Sequence, residues 1–462
     1  MNFEALYTLI GDRERVVPGS DRIEEKYLTD TLGRLKGHAD ALVFPLSTQE
    51  ISGVMRWAWE HGVPVTPRGA GTNLVGSTVP LRGGIILDMS RMNRVLEIDR
   101  DTLTATVEPG VVLQDFQKQV ESMGLFYPPD PGEKTATIGG NIATNAGGMR
   151  AVKYGVTRDY VRGLECVLAD GRVIRIGSKN VKDASGLQLK QLVIGSEGTL
   201  AVITKCILRL VAKPACSLSA LLPYRNLEDG IRSVKDILMS DLNPTAVEFI
   251  ERSVVELGER FTGIPFPAKD AGAYLLVTLD GGAESVRDRT EGLRQLAAKT
   301  GSSGFIPLSD AQEAARVWQV RGCLVKAVEA VSEQEPVDLV VPISQSAEFV
   351  SYVHQLEKES GMRMIAFGHA GDGNVHLCIM RESRDDAAWK KELEQVMHTL
   401  YRKAYELGGL TSGEHGIGIA KQPYFLENTD GAVLAAMRSV KDALDPKHIL
   451  NDRISYLGEE KV

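Results

Sequence analysis

Five short stretches of this chain are nearly bare of side chains, and they constrain its architecture more than any other feature. Residues 67–84, 132–155, 186–198, 368–373 and 408–418 hold 22 of the 46 glycines. Outside them glycine falls back close to the ~7% of ordinary proteins. No Gly-X-Y period is present, and the rest of the composition is that of a folded protein, 43% hydrophobic and 25% charged. Collagen-like and disordered chains are thereby excluded. The bare backbone must serve local purposes, such as turns or the close approach of a ligand.

Charge and cysteine content narrow the class further. The formal net charge is −8 and no basic block occurs, which argues against a nucleic-acid partner. No uncharged apolar run approaches the ~20 residues of a membrane span. The opening MNFEALYTLIGDRERVV mixes charges early, so neither a signal nor a transit peptide is expected. The five cysteines (Cys166, Cys206, Cys216, Cys323, Cys378) are an odd number without a CxxC. Reduced thiols and a cytoplasmic setting are expected, with any membrane association made through a partner.

Along the first 210 residues, short apolar runs alternate with a helical pattern and glycine turns. Residues 42–45, 63–69, 83–89, 102–110, 163–177 and 199–210 read as strands. Residues 48–62 read as a helix that Thr48 can cap. ECVLAD-GR-VIRIG reads as a hairpin turning at Asp170-Gly171. After Lys213-Pro214 the chain changes to α+β. Amphipathic helices are expected over 228–240, 253–261, 284–300, 310–331 and 387–407, and strands over 273–279, 337–343 and 364–380. The division expected is 1–214, 215–410 and a C-terminal segment 411–462 that returns to the first domain.

Three glycine patches fall in the first domain. Pro67-Arg68-Gly69-Ala70-Gly71-Thr72-Asn73, closing at Gly76, follows a strand. Backbone N–H groups can converge there on phosphate oxygens, with Arg68 adding charge; a plain turn is the alternative. The second patch runs from Pro131-Gly132 through Thr137-Ile138-Gly139-Gly140-Asn141, Ala143-Thr144-Asn145 and Gly147-Gly148 to Tyr154-Gly155. It shows no apolar period and reads as a long functional loop rather than core. Glu197-Gly198 forms the third, ahead of a strand containing Ile203. Three such loops imply a long, partly phosphorylated ligand.

The two C-terminal patches carry the chemistry. In Gly368-His369-Ala370-Gly371-Asp372-Gly373-Asn374-Val375-His376, positions seven apart would face opposite sides of one continuous strand. The intervening turn breaks that parity and can bring both imidazoles together. The fifth patch contains Ser412-Gly413-Glu414-His415-Gly416. His369, His376 and Glu414 supply two imidazoles and a carboxylate, a set suited to zinc, ferrous iron or manganese with positions left open for substrate. His415 remains as a base. The bland alternatives are loop histidines and a capped helix end.

RGAGTNLVG, PPDPG…TIGGNIATNAGG…YG, GSEGTL, GHAGDGNVH and SGEHGIG, in this order, resemble the vanillyl-alcohol oxidase / p-cresol methylhydroxylase flavoprotein family. The nearest likeness is to its FAD-linked D-2-hydroxy-acid dehydrogenase branch, over nearly the whole chain. The resemblance implies an α+β protein, with a two-lobed FAD-binding domain and a substrate (cap) domain of antiparallel sheet covered by helices. It places residues 68–76 at the pyrophosphate of FAD, 137–148 along flavin and phosphates, and Glu197 to Ile203 beside the cofactor. Relatives that bond flavin covalently use a histidine in the first loop; this loop has Thr72, which implies non-covalent FAD. The implied ligands are His369, His376 and Glu414, with His415 as base.

The implied reaction is oxidation of a small D-2-hydroxy acid to the 2-oxo acid, with hydride passing to flavin and electrons leaving to an electron-transferring flavoprotein, an iron–sulfur subunit or quinone. A cation for the substrate carboxylate is then expected. Arg321, on the apolar stripe of helix 310–331, is the candidate, and a surface-seeking arginine is the alternative. Val325, Pro336 and Cys378 stand where relatives carry polar groups, which implies a small monocarboxylate such as lactate or glycolate. Two further readings are oxidation of another alcohol and a flavin-carrying electron-relay subunit.

Overall fold

A computed structural model describes residues 3–451. The end of the expected C-terminal segment, 452–462, lies outside the described residues. The chain forms two compact units. The first contains the described residues up to Gly147, Val156–Lys213 and the chain from Glu414 onward; the second contains Pro214–Gly413 and the insert Gly148–Gly155.

In the first unit, β1 (Val16–Pro18), β2 (Ala41–Val43), β3 (Val65–Arg68) and β4 (Ile85–Asp88) form a sheet ordered β1-β2-β4-β3. The β2–β4 and β3–β4 pairs are parallel, so β2 and β3 need a crossover, which α1 (Thr48–His61) provides. The cap of α1 is Ser47, whose Oγ accepts the Glu50 N–H. Thr48, expected to cap, instead donates its hydroxyl to buried Glu165. Ile51, Val54, Met55 and Ala58 put the apolar stripe of α1 against Val43, Val65, Ile85 and Leu87.

The second sheet of this unit is antiparallel. Its strands are β5 (Val95–Asp99), β6 (Thr104–Val107), β7 (Val161–Val167), β8 (Val173–Gly177) and β9 (Val202–Arg209), ordered β5-β6-β9-β7-β8. The β7–β8 hairpin turns at Asp170-Gly171, where Gly171 has φ +84° and the Asp170 carboxylate accepts the Arg172 N–H. A helix, Gly431–Leu444, then brings the chain back beside β3, where Val65 donates to Ile449 O and Asn451 donates to Val65 O. Buried Lys441 secures this return by donating to Thr199 O, Leu450 O and Asp445.

One expectation fails here. Residues 138–144 are not loop but a short helix, α2, N-capped by the Thr137 hydroxyl and ended by Asn145 in the left-handed region. Ile138 and Ile142, four apart, are buried. The first of the two glycines between them, Gly139, lets α2 settle against Pro109, where a Cβ would come within 2.5 Å.

The second unit is built on seven antiparallel strands. They are β10 (Cys216–Tyr224), β11 (Ala246–Glu251), β12 (Ala273–Gly281), β13 (Ile306–Leu308), β14 (Gln334–Val340), β15 (Met364–His369) and β16 (Asn374–Met380), ordered β13-β10-β12-β11-β15-β16-β14. On one face, α3 (Arg252–Thr262), α4 (Ala311–Gly322) and α5 (Leu324–Glu329) bury Val254, Val320 and Leu324 against Ile250, Phe367 and Cys378. Helix 310–331 was expected as one piece. It breaks at Cys323 (φ −102°, ψ 2°), directly after Gly322, a residue that weakens a helix.

Candidate active site

In the first unit, three glycine patches pack onto one another. Gly69 lies against the capped end of α2, so that a Cβ there would meet the Thr137 hydroxyl, and Gly195 and Glu197 donate their N–H groups to Ile142 O and Ala143 O. Gly198 lies beside Pro67. The Asn73 side chain accepts the N–H of Val75 and of Ser77, fixing the first loop. Arg68 is buried under Gly71, where a Cβ would strike the guanidinium, and it donates to Lys26 O and Thr78 Oγ1. Burial pushes its pKa down.

Glu197 is the hub of these loops. It adopts φ +52°, and its buried carboxylate accepts the N–H of Ile417 (2.8 Å) and Gly418 (3.0 Å) and the Ser77 hydroxyl. Burial raises its pKa, against those hydrogen bonds. The 416–418 backbone is therefore pinned to the 197 loop. Glu414 lies over Gly147, where a Cβ would come within 3.0 Å of its side chain. Amid these loops, the buried Asn141 Nδ2 has no hydrogen-bond partner among the described residues. An uncompensated buried donor is costly, and an oxygen-rich ligand such as FAD would satisfy it. The loops fit FAD on that ground.

Not every residue expected at the cofactor lies in this unit. Gly148, Tyr154 and Gly155 belong to the insert of the second unit. Tyr154 donates its hydroxyl to Asp280 on β12 (2.8 Å), and Lys153 pairs with the same carboxylate. Pro131 is buried, Gly132 is exposed, and Ile203 is half-buried on β9.

In the second unit, the β15–β16 hairpin brings the two histidines together. Its register pairs His369 with Asn374 and Phe367 with His376. His369 and His376 are thus diagonal neighbours on one face, with ring centroids 5.1 Å apart and planes at 88°. β11 lies on the other side of β15 and pairs Glu248 directly with His369. Glu248 Oε1 lies 2.7 Å from His369 Nδ1, and Oε2 accepts Arg321 Nε (3.1 Å) and Nη2 (2.6 Å). Burial alone would push the Glu248 carboxyl up; its interactions with His369 and Arg321 outweigh that and hold it at about 2. Arg321 is not at the surface: its side chain is 11% exposed and its guanidinium lies 5.4 Å from the Phe367 ring. Val325, by contrast, is exposed.

Asp338, paired with His376 across β14 and β16, fixes the next loop. It accepts Asn374 Nδ2 (2.7 Å), Ser412 Oγ (2.8 Å) and Gly413 N–H (3.3 Å). Neither Glu248 nor Asp338 figured among the expected site residues. A single carboxylate inside the otherwise apolar AV-E-FI of β11 was the available signal.

Residues 39–177 match the model of an FAD binding domain, and residues 213–454 match that of the FAD linked oxidases, C-terminal domain. The chain belongs to the FAD-linked oxidases. It is 41% identical over 446 residues to a D-lactate dehydrogenase of Anaerostipes hadrus, covering 95% of this chain and 94% of that one. It is 39% identical over 430 residues to the glycolate oxidase subunit GlcD of Bacillus subtilis, covering 92% and 90%. Among solved structures, p-cresol methylhydroxylase with substrate bound shares the fold with a TM-score of 0.79 at 17% identity, covering 98% and 96%. The expected branch and fold are borne out: this is an FAD-linked oxidoreductase acting on CH–OH groups, with the fold of p-cresol methylhydroxylase. Among the described residues, no helix is long and apolar enough to cross a membrane.

Proposed function

We propose that this FAD-linked oxidoreductase oxidises a small D-2-hydroxy acid, of the D-lactate or glycolate type, to the 2-oxo acid in a reaction that also needs a divalent metal. The observation that carries the reading is the pair of perpendicular imidazoles of His369 and His376, held by one hairpin. Two nitrogen donors and a carboxylate suit zinc, ferrous iron or manganese. Glu414 is the carboxylate in this reading, one residue beyond the Gly413 that Asp338 holds.

Bound FAD supplies the two-electron acceptor, and a divalent ion supplies Lewis acidity toward the substrate hydroxyl. The chain's residues supply the rest. Arg321 faces the substrate carboxylate with the N–H donors that Glu248 leaves over, because a guanidinium can serve two carboxylates at once. His415 takes the hydroxyl proton, since an imidazole titrates near neutral pH. Thr72 in place of histidine supports non-covalent flavin. Cys378, buried on the histidine face of β16, and exposed Val325 leave few polar partners for a second substrate carboxylate, which favours a monocarboxylate.

The electrons then pass to an electron-transferring flavoprotein, an iron–sulfur subunit or quinone, since the chain has no CxxC motif for a cluster of its own. The five free thiols support a cytoplasmic setting. The test is anaerobic flavin bleaching with D- and L-lactate and glycolate, before and after chelator treatment. Bleaching by a D-2-hydroxy acid or glycolate that chelator abolishes and manganese or zinc restores supports the reading. Bleaching that chelator leaves untouched removes the metal, and no bleaching by any hydroxy acid rejects the substrate class.

A further inference from the structure

Glu248 is fully buried at the centre of β11, on a strand whose six residues are all buried. A lone carboxylate there would be expensive to desolvate. Its two oxygens have separate duties: Oε2 takes both Arg321 contacts, and Oε1 faces His369. The strand register makes this division structural, since Glu248 and His369 are direct cross-strand partners.

We propose that Glu248 is the positioning residue that fixes the tautomer and ring orientation of His369, so that Nε2 presents its lone pair for a divalent ion. A carboxylate paired to arginine can only accept, so the proton of His369 must sit on Nδ1. That commits Nδ1 to Glu248 and makes Nε2 the ring nitrogen turned over to a metal. Arg321 serves as the counter-ion that allows an acceptor to be kept so deep. The proposal rests on the reading of His369 as a metal ligand.

The substitution Glu248→Gln is informative because Arg321 limits how the new amide can sit. Its –NH2 cannot face the guanidinium, which is all donors, so the amide oxygen turns to Arg321 and the –NH2 turns to His369. Nδ1 must then accept, and the proton moves to Nε2. In chelator-stripped protein, titration with Mn2+ or Zn2+ should show binding roughly 10–100-fold weaker in E248Q, with flavin content unchanged and a lowered melting temperature, because Arg321 keeps an acceptor but loses its counter-charge. Glu248→Asp should recover part of the affinity. Equal affinity in native and E248Q protein overturns the role of Glu248. A native protein that binds neither ion instead overturns the metal reading, and this role with it. If E248Q fails to fold, the 15N shifts of His369 in the metal-free native protein decide the matter. A proton on Nδ1 supports the proposal, and a ring protonated on Nε2 alone overturns it.

Discussion

Arg321 can lie inside the fold because Glu248 receives it there. Breaking a buried ion pair from one side strands the other charge, at a cost of about 3–5 kcal/mol. Arg321→Ala should therefore lose stability of that order in urea unfolding, and at permissive temperature it should raise the Michaelis constant for the hydroxy acid more than it lowers kcat. An unchanged Michaelis constant would separate Arg321 from substrate and leave it only as the partner of Glu248. The sequence made His369 and His376 legible, because a Gly-Asp-Gly-Asn turn between two apolar runs predicts a hairpin that brings the flanking faces into register. Glu248 was not legible in the same way. Its partners are 73 and 121 residues away, and a lone glutamate in a strand carries no spacing signal.

Elements were read well where periodicity and turn chemistry agreed. The β7–β8 hairpin and the amphipathic helices of the second unit belong to this class. Reading failed where one local choice outweighed the pattern: Gly322 ended a helix whose apolar stripe continued, and Thr137 with Ile138 and Ile142 began one inside a glycine-rich run. Between elements, charge does what periodicity cannot. His354, on α6 (Ser346–Ser360), is hydrogen-bonded to Glu251 of β11 through Nε2 (2.5 Å) and to Glu228 through Nδ1 (3.1 Å). Hydrogen bonding to Glu251, against the cost of burial, raises its pKa to about 9. A pKa raised in the folded state gives stability that is whole below the unfolded value of ~6.5 and is lost as pH rises through about 9. The loss between those limits should be on the order of 2 kcal/mol, seen as a falling melting temperature from pH 6.5 to 9. His354→Gln should flatten that slope; a native protein with no slope would show the two carboxylates do not hold the proton.

At the scale of the molecule, the first unit is completed by the last part of the chain. Lys441, donating to Thr199 O, Leu450 O and Asp445 at 2.6–2.8 Å, fastens the return. Lys441→Met leaves buried Asp445 with backbone donors but no counter-charge and takes a donor from two carbonyls, and about 3–5 kcal/mol should be lost. Urea unfolding followed by flavin release should show cofactor leaving at lower denaturant than in the native protein. Retention of flavin at native denaturant levels would show that the tail contributes little to the cofactor unit.

The same arrangement sets an order of assembly during synthesis. Every strand of the seven-stranded sheet has emerged by Met380, and the second unit ends at Gly413. The cofactor unit, begun first, still lacks the segment that runs beside β3. Domains generally fold as units as the chain emerges, so the inserted unit is free to fold while its host is unfinished. Flavin capture then waits for that segment, and a ribosome that stops short of Lys441 leaves a finished insert in a host unable to close.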